Sequence, residues 1–159
     1  MPPRQKGGGM KEDLEEILEI NKRLVDIHVE AENKHLLAET INTLHSECVF
    51  EDIPLGQIYK GREGAAEYYQ TWWNAFEIIV KPNRGIQWTI DGNMVTESRY
   101  VGTHTGEFFG LKATGRSIDL PFVVIIGFKE GLMFGGRFYY NLPYLLDQLG
   151  VSSLPEVNQ

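Results

Sequence analysis

The stretch from Ser46 to Tyr69, SECVFEDIPLGQIYKGREGAAEYY, sets a carboxylate, Asp52, inside an apolar run of Val49, Phe50, Ile53 and Leu55. Strand alternation puts Phe50 and Asp52 on one face, and Val49, Glu51 and Ile53 on the other. If Phe50 points into a cavity, so does Asp52. Apolar surroundings penalise the charged form and raise a carboxyl pKa, which suits a base that must hold a proton briefly. The alternative is a structural aspartate that accepts backbone N–H bonds in the turn after it.

Three further residues carry candidate chemistry. His28 falls on the apolar stripe of DLEEILEINKRLVDIHVEAEN, which begins at Asp13. A neutral imidazole facing Asp52 across a pocket could donate to a developing enolate while Asp52 takes the α-proton. The plainer reading is a satisfied core histidine. Arg99, in VTESRYVG, would need Asp52 or Glu97 as partner if it faced inward, and such a pair would favour orientation or anion binding over proton abstraction. Otherwise it is an exposed arginine on a sheet face. His104, in GTHTG, lies by strand parity on the opposite face from Arg99 unless Gly102 marks a bulge; it is a ligand contact or a turn or interface residue.

Other chemistries find no support. No two histidines stand at ligand spacing on one element, and a single cysteine, Cys48, excludes thiolate-rich metal sites and an internal disulfide. No base is evident beside Cys48, so it reads as a small core residue. The glycine-rich segments lack a strand–glycine–helix context and read as turns, not phosphate loops. A net charge of −7 leaves nothing to neutralise a nucleic-acid backbone. There is no apolar stretch long enough for a bilayer and no signal-peptide core. The lone cysteine suits a reducing cytosol, so the expected location is cytoplasmic.

The elements that must position these groups read as follows. A helix from Asp13 to about Asn33 carries Leu14, Ile17, Leu18, Leu24, Val25 and His28 at three- and four-residue steps. A second helix is expected over about 34–45, a strand over 48–53 and a third helix over 63–79. The third helix has an inward stripe that includes Tyr69, Trp72, Trp73 and Phe76. After KPNRG, turn signals at Asp91-Gly92-Asn93, Gly110, Ala113-Thr114-Gly115 and Glu130-Gly131 separate strands expected at 85–90, 94–107, 116–128 and 132–141. A last short helix starts at Pro143 and stops at the Gly150 cap. Residues 1–11 read as a disordered tail or an added leader, residues 12–150 as one domain, and residues 151–159 as a C-terminal tail. With 159 residues, 42% of them hydrophobic, one domain has ample core. Helices first and antiparallel strands afterwards give the α+β class: a curved antiparallel sheet with three N-terminal helices over its concave face, a cystatin-like cone with room for a small apolar ligand.

GTHTGEFFGLKATGRSI, with the later Glu-Gly turn and GRFYYNLPYLLDQLG, resembles the SnoaL-like polyketide cyclase family. That family has the nuclear transport factor 2 fold, shared with ketosteroid isomerases and limonene epoxide hydrolases. The resemblance implies a homodimer that binds a small hydrophobic molecule without metal or cofactor. It also implies where catalytic groups would lie. The acid/base aspartate of the SnoaL-like cyclases follows an arginine near the end of the last long strand; here Phe138 follows Arg137, and the family's neighbouring histidine falls on Val124. The epoxide hydrolase positions fall on Phe50, Asp52, Arg99, Val101 and Phe138, and only the arginine is kept. The isomerase base lies in a VED-P segment, which FEDIP matches at Asp52; its oxyanion tyrosine falls on His28 and its second donor on Val124. The expected site is therefore Asp52 as acid/base, His28 as acid or oxyanion donor and Arg99 as a positioning charge. Phe50, Tyr69, Trp73, Phe122, Val124, Phe138 and Tyr140 are expected to shape the cavity, with Glu97 and His104 as further contacts and no metal or cofactor. A non-catalytic binding protein on the same cone, or a purely structural dimerisation module, are the alternatives.

Overall fold

Helical spacing along the N-terminal segment produces α1 (Gly9–Asn33), which buries Asn21, Val25, His28 and Glu32 along one stripe. The computed structural model describes residues 9–157, so the expected tail lies outside the described residues except for 9–11, which open α1. A single-turn helix, α2 (Leu37–Asn42), leads into β1 (Leu44–Asp52) and β2 (Gln57–Lys60). α3 (Gly61–Phe76) follows, then β3 (Ile79–Trp88), β4 (Met94–Thr103), β5 (Ser117–Lys129), β6 (Leu132–Tyr140) and α4 (Leu142–Leu149).

The strands form one curved, unclosed sheet in the order β2-β1-β6-β5-β4-β3. Every neighbouring pair is antiparallel except β1 and β6, which run parallel. The α+β cone is as expected; the parallel pair is the departure from an all-antiparallel sheet. It arises because β1 precedes α3 in the chain but pairs with the last strand. α3 packs across β1 and β2. It buries Tyr68, Tyr69, Trp72 and Phe76, each large ring contributing on the order of 1.5–3 kcal/mol to the core.

Local differences from the expected elements have local causes. α3 stops at Phe76 because Glu77 turns left-handed, φ 50°, and its N–H returns to the Trp73 carbonyl. Ile78 and Ile79 therefore leave the helix, and KPNRG lies inside β3, where the register shifts between Pro82 and Gly85. β2 is short and follows a glycine turn, too little sequence to show alternation. α4 is capped by Asn141, whose Oδ1 accepts the Tyr144 N–H at 3.0 Å, and closes at Gly150 as expected. The expected C-terminal tail is docked as far as Val157: Leu154 is buried, and the Glu156 N–H donates to the Phe109 carbonyl.

Candidate active site

A cavity of about 400 Å³, open on one side, lies between α1, α3 and the sheet. Its walls are mainly apolar: Phe50, Met94, Phe122, Val124, Ile126 and Phe138 from the sheet, with Val25 and Val29 from α1. Two asparagines tie α1 to the sheet on either side of its functional residues. Asn21 Nδ2 donates to the Gly92 carbonyl at 3.1 Å, and Asn33 exchanges two bonds with the Val80 backbone at 2.8 and 3.1 Å. His28 and Glu32 sit between these ties, one helical turn apart, and both line the cavity.

The hydrogen bonds around His28 define its proton. The Thr43 hydroxyl donates to the Thr40 carbonyl at 2.6 Å, which commits its only hydrogen. At 2.6 Å from His28 Nδ1, Thr43 Oγ1 must then accept, so Nδ1 carries hydrogen. In the neutral ring Nε2 is left with its lone pair. It receives the Tyr69 hydroxyl at 3.0 Å and lies 3.5 Å from Glu32 Oε2. The Glu32 carboxylate receives no hydrogen bond from another protein group among the described residues; only its backbone carbonyl does, from the His35 N–H. The result is a basic nitrogen, a carboxylate and a phenol together in an apolar wall.

Asp52 looks inward, as expected, but does not reach that wall. It is 1% exposed and is absent from the cavity lining. Across the sheet, Asp52, Phe138, Val124 and Thr96 are successive register partners on one row. The last three line the cavity; Phe138, with Tyr68 stacked on it at 4.8 Å, stands between them and the carboxylate. Tyr140 donates to both oxygens of Asp52, at 2.8 and 3.0 Å, and the Leu55 N–H donates to Oδ1 at 3.2 Å. Burial pushes the Asp52 pKa up to about 6, against the pull of the Tyr140 and Leu55 bonds. Burial, then the Asp52 charge, drives the Tyr140 phenol well above its ordinary range.

Of the other expected residues, Phe50, Tyr69, Phe122, Val124 and Phe138 line the cavity. Tyr140 does not, since its hydroxyl is taken by Asp52. Trp73 lies outside, stacked on His35 at 4.8 Å; the inward ring is its neighbour Trp72. Arg99 is on the outer face, bound to Asp119 at 2.7 Å with both side chains well exposed. β4 turns Met94, Thr96, Ser98 and Tyr100 inward, and the residues between them outward. Glu97 meets the cavity rim opposite Gly85, although alternation sends its side chain to the Arg99 face. His104 is fully buried beside Phe76, its Nδ1 accepting the Thr114 N–H at 3.1 Å, and has no part in the cavity. Burial lowers its pKa.

Glu32, Thr96, Ser98 and Tyr100 are site residues that were not anticipated. Glu32 was accessible through its four-residue step from His28. Among the described residues no cluster of three or more histidine, cysteine, aspartate or glutamate side chains could hold a metal, and no helix is long and apolar enough to cross a membrane.

A helix-roofed cone with an apolar cavity and a histidine–carboxylate pair in its wall is what the ketosteroid isomerase-like fold presents here. The family model for the SnoaL-like polyketide cyclases matches residues 22–149, and the chain belongs to that family. Similar solved structures include a protein from Xanthomonas campestris pv. campestris described as a candidate polyketide cyclase (TM-score 0.73, 21% identity, covering 84% of this chain and 98% of that one). Another candidate polyketide cyclase, from Silicibacter, has a TM-score of 0.73 and 21% identity over 84% of this chain and 96% of its own. A protein with ketosteroid isomerase-like fold from Catenulispora acidiphila, solved with trimethylamine, has a TM-score of 0.67 and 15% identity, covering 81% of this chain and 93% of that one. No curated protein matches the chain.

Proposed function

We propose that this protein is a cofactor-free acid/base enzyme of the isomerase or cyclase type, acting on a small, largely apolar carbonyl compound held in the cavity. One observation carries the reading: His28 Nε2, stripped of hydrogen by the Thr43 contact at Nδ1, lies beside Glu32 in an otherwise apolar wall. In the reaction the C–H bond next to the carbonyl breaks and its proton passes to Nε2. The electron pair moves onto the carbonyl oxygen as an enolate. The Tyr69 hydroxyl, no longer needed by Nε2, turns to donate to that oxygen, and Glu32 sets a negative charge beside the imidazolium. Return of the proton to another carbon completes an isomerisation. Attack of the enolate carbon on a second carbonyl of the same molecule completes a cyclisation.

Asp52 takes a supporting role here, holding Tyr140 and the following turn behind Phe138. The working form is taken, from the family resemblance, to be a homodimer. Deuterium incorporation next to the carbonyl of β-tetralone, followed by NMR, tests the reading. Wild-type protein is expected to accelerate exchange, and Glu32→Gln and Tyr69→Phe each to slow it at least about tenfold. Exchange at the buffer rate in wild type would contradict it.

A non-catalytic binding protein is the second reading. It is favoured by Val124 and Phe138, the positions where the SnoaL-like resemblance sets a histidine and an aspartate; both line the cavity and both are apolar. Tight ketone binding without exchange would select it.

A further inference from the structure

The sheet wall of the cavity is mainly apolar, with Glu97 at its rim and the Tyr100 hydroxyl taken by Tyr68. Thr96 and Ser98 occupy two successive inward positions of β4, between Met94 and Tyr100. Their register partners on β5 are Val124 and Phe122, which offer no polar atom from their side chains. Thr96 Oγ1 and Ser98 Oγ are 3.2 Å apart, and Thr96 Oγ1 lies 3.4 Å from the Gly85 carbonyl. Ser98 has no other side-chain partner among the described residues. Both residues are nearly buried, at 8% and 6% exposure.

The two hydroxyls carry two protons and four lone pairs. Their mutual bond uses one of each, and the Gly85 contact is long for an O–H donor. When Thr96 donates to Ser98, the Ser98 proton faces the cavity unused. When the direction reverses, Thr96 has only the weak carbonyl contact. A β-strand needs no hydroxyl here, and an apolar wall disfavours hydroxyls with so few hydrogen bonds.

We propose that Thr96 and Ser98 form a second polar anchor, so that the cavity selects carbonyl compounds bearing another oxygen function, a hydroxyl or second carbonyl, on the part of the molecule lying against β4. The inference deepens the proposed function and rests on it only for the reacting carbonyl. The hydroxyl pair both donates and accepts, so it takes either oxygen function. The apolar walls between anchor and His28 suit a mostly hydrocarbon body.

Calorimetric titration with β-tetralone, its ring-hydroxylated analogue and the analogue with fluorine in place of that hydroxyl, which has no donor and is a very weak acceptor, tests the anchor. In wild type the hydroxyl is expected to tighten binding about tenfold, one good hydrogen bond, and the fluorine to lose that gain. The Thr96→Val/Ser98→Ala variant should bind the hydroxylated and fluorinated compounds alike. The fluorine comparison needs no variant, so the test stands even if the double substitution unfolds the protein. No hydroxyl gain in wild type, an equal gain for the fluorine compound, a gain surviving in the double variant, or binding of neither ketone would overturn the anchor. α-Proton exchange in the same samples separates the two claims. A hydroxyl gain without exchange keeps the anchor and removes the enzyme reading; exchange without a gain does the reverse.

Discussion

Asp52 and Phe138 are partners in the parallel ladder of β1 and β6, yet only Phe138 meets the cavity. That adjacency separates two roles that the sequence alone merges. The carboxylate lies inside the apolar body, bound by Tyr140 and Leu55, while the base facing the ligand comes from α1.

Asp52 should mark the pH dependence of stability. Its pKa is about 6 in the fold against an ordinary 3.8, so between those values the folded protein binds more protons than the unfolded chain. Below pH 3.8 the group contributes no penalty. As pH rises through about 6 the ionised form costs the fold, at 1.36 kcal/mol per unit, about 3 kcal/mol. A neutral amide in its place would carry no such penalty. Urea unfolding of wild type and Asp52→Asn at pH 4 and 7.5 should therefore show the variant gaining on wild type by about 2–3 kcal/mol as pH rises. A constant difference would mean that Asp52 titrates normally.

Filling the cavity should block the ligand without unfolding the protein. Val124→Phe places a ring into free space in the centre of the sheet wall. Affinity for β-tetralone should fall at least about tenfold, with stability changed by no more than about 1–3 kcal/mol. Unchanged affinity would put the binding site elsewhere.

Arg99 should be dispensable for the chemistry. Its exposed pair with Asp119 is of a kind worth about 0–1 kcal/mol. Arg99→Ala should keep exchange activity within about twofold and stability within that margin. A large loss of activity would restore the positioning role first expected of it.

Gly102 should be irreplaceable for a reason unrelated to the site. A Cβ there would run into the Phe76 carbonyl and crowd Ile78, at the turn from α3 into β3. Gly102→Ala should destabilise by about 2–4 kcal/mol in thermal or urea unfolding. A neutral substitution would show that the turn can yield.

The sequence carried the local features well. The helical spacing that buries His28, the alternation that pairs Phe50 with Asp52, and the Gly150 stop are all short-range, and all reappear in the structure. What it hid was register. Whether Asp52 meets the cavity depends on which β6 residue lies beside it, a consequence of parallel pairing between segments more than eighty residues apart. Arg99 posed a similar problem: its parity within β4 could be counted, but which parity faces the helices could not. Trp72 and Trp73 were ambiguous because adjacent helical residues diverge by about 100° and both are large enough for a core. Thr96 and Ser98 passed unnoticed because hydroxyls are ordinary in strands, and only an apolar cavity beside them makes their sparse hydrogen bonding visible.

The central claim is that the proton passes through His28 and not through Asp52. Deuterium exchange into β-tetralone, measured side by side for wild type, His28→Ala and Asp52→Asn at pH 7.5, tests it most directly. Loss of about a hundredfold or more in His28→Ala, with Asp52→Asn within about threefold of wild type, is the expected result. Activity that survives in His28→Ala and disappears in Asp52→Asn would contradict it.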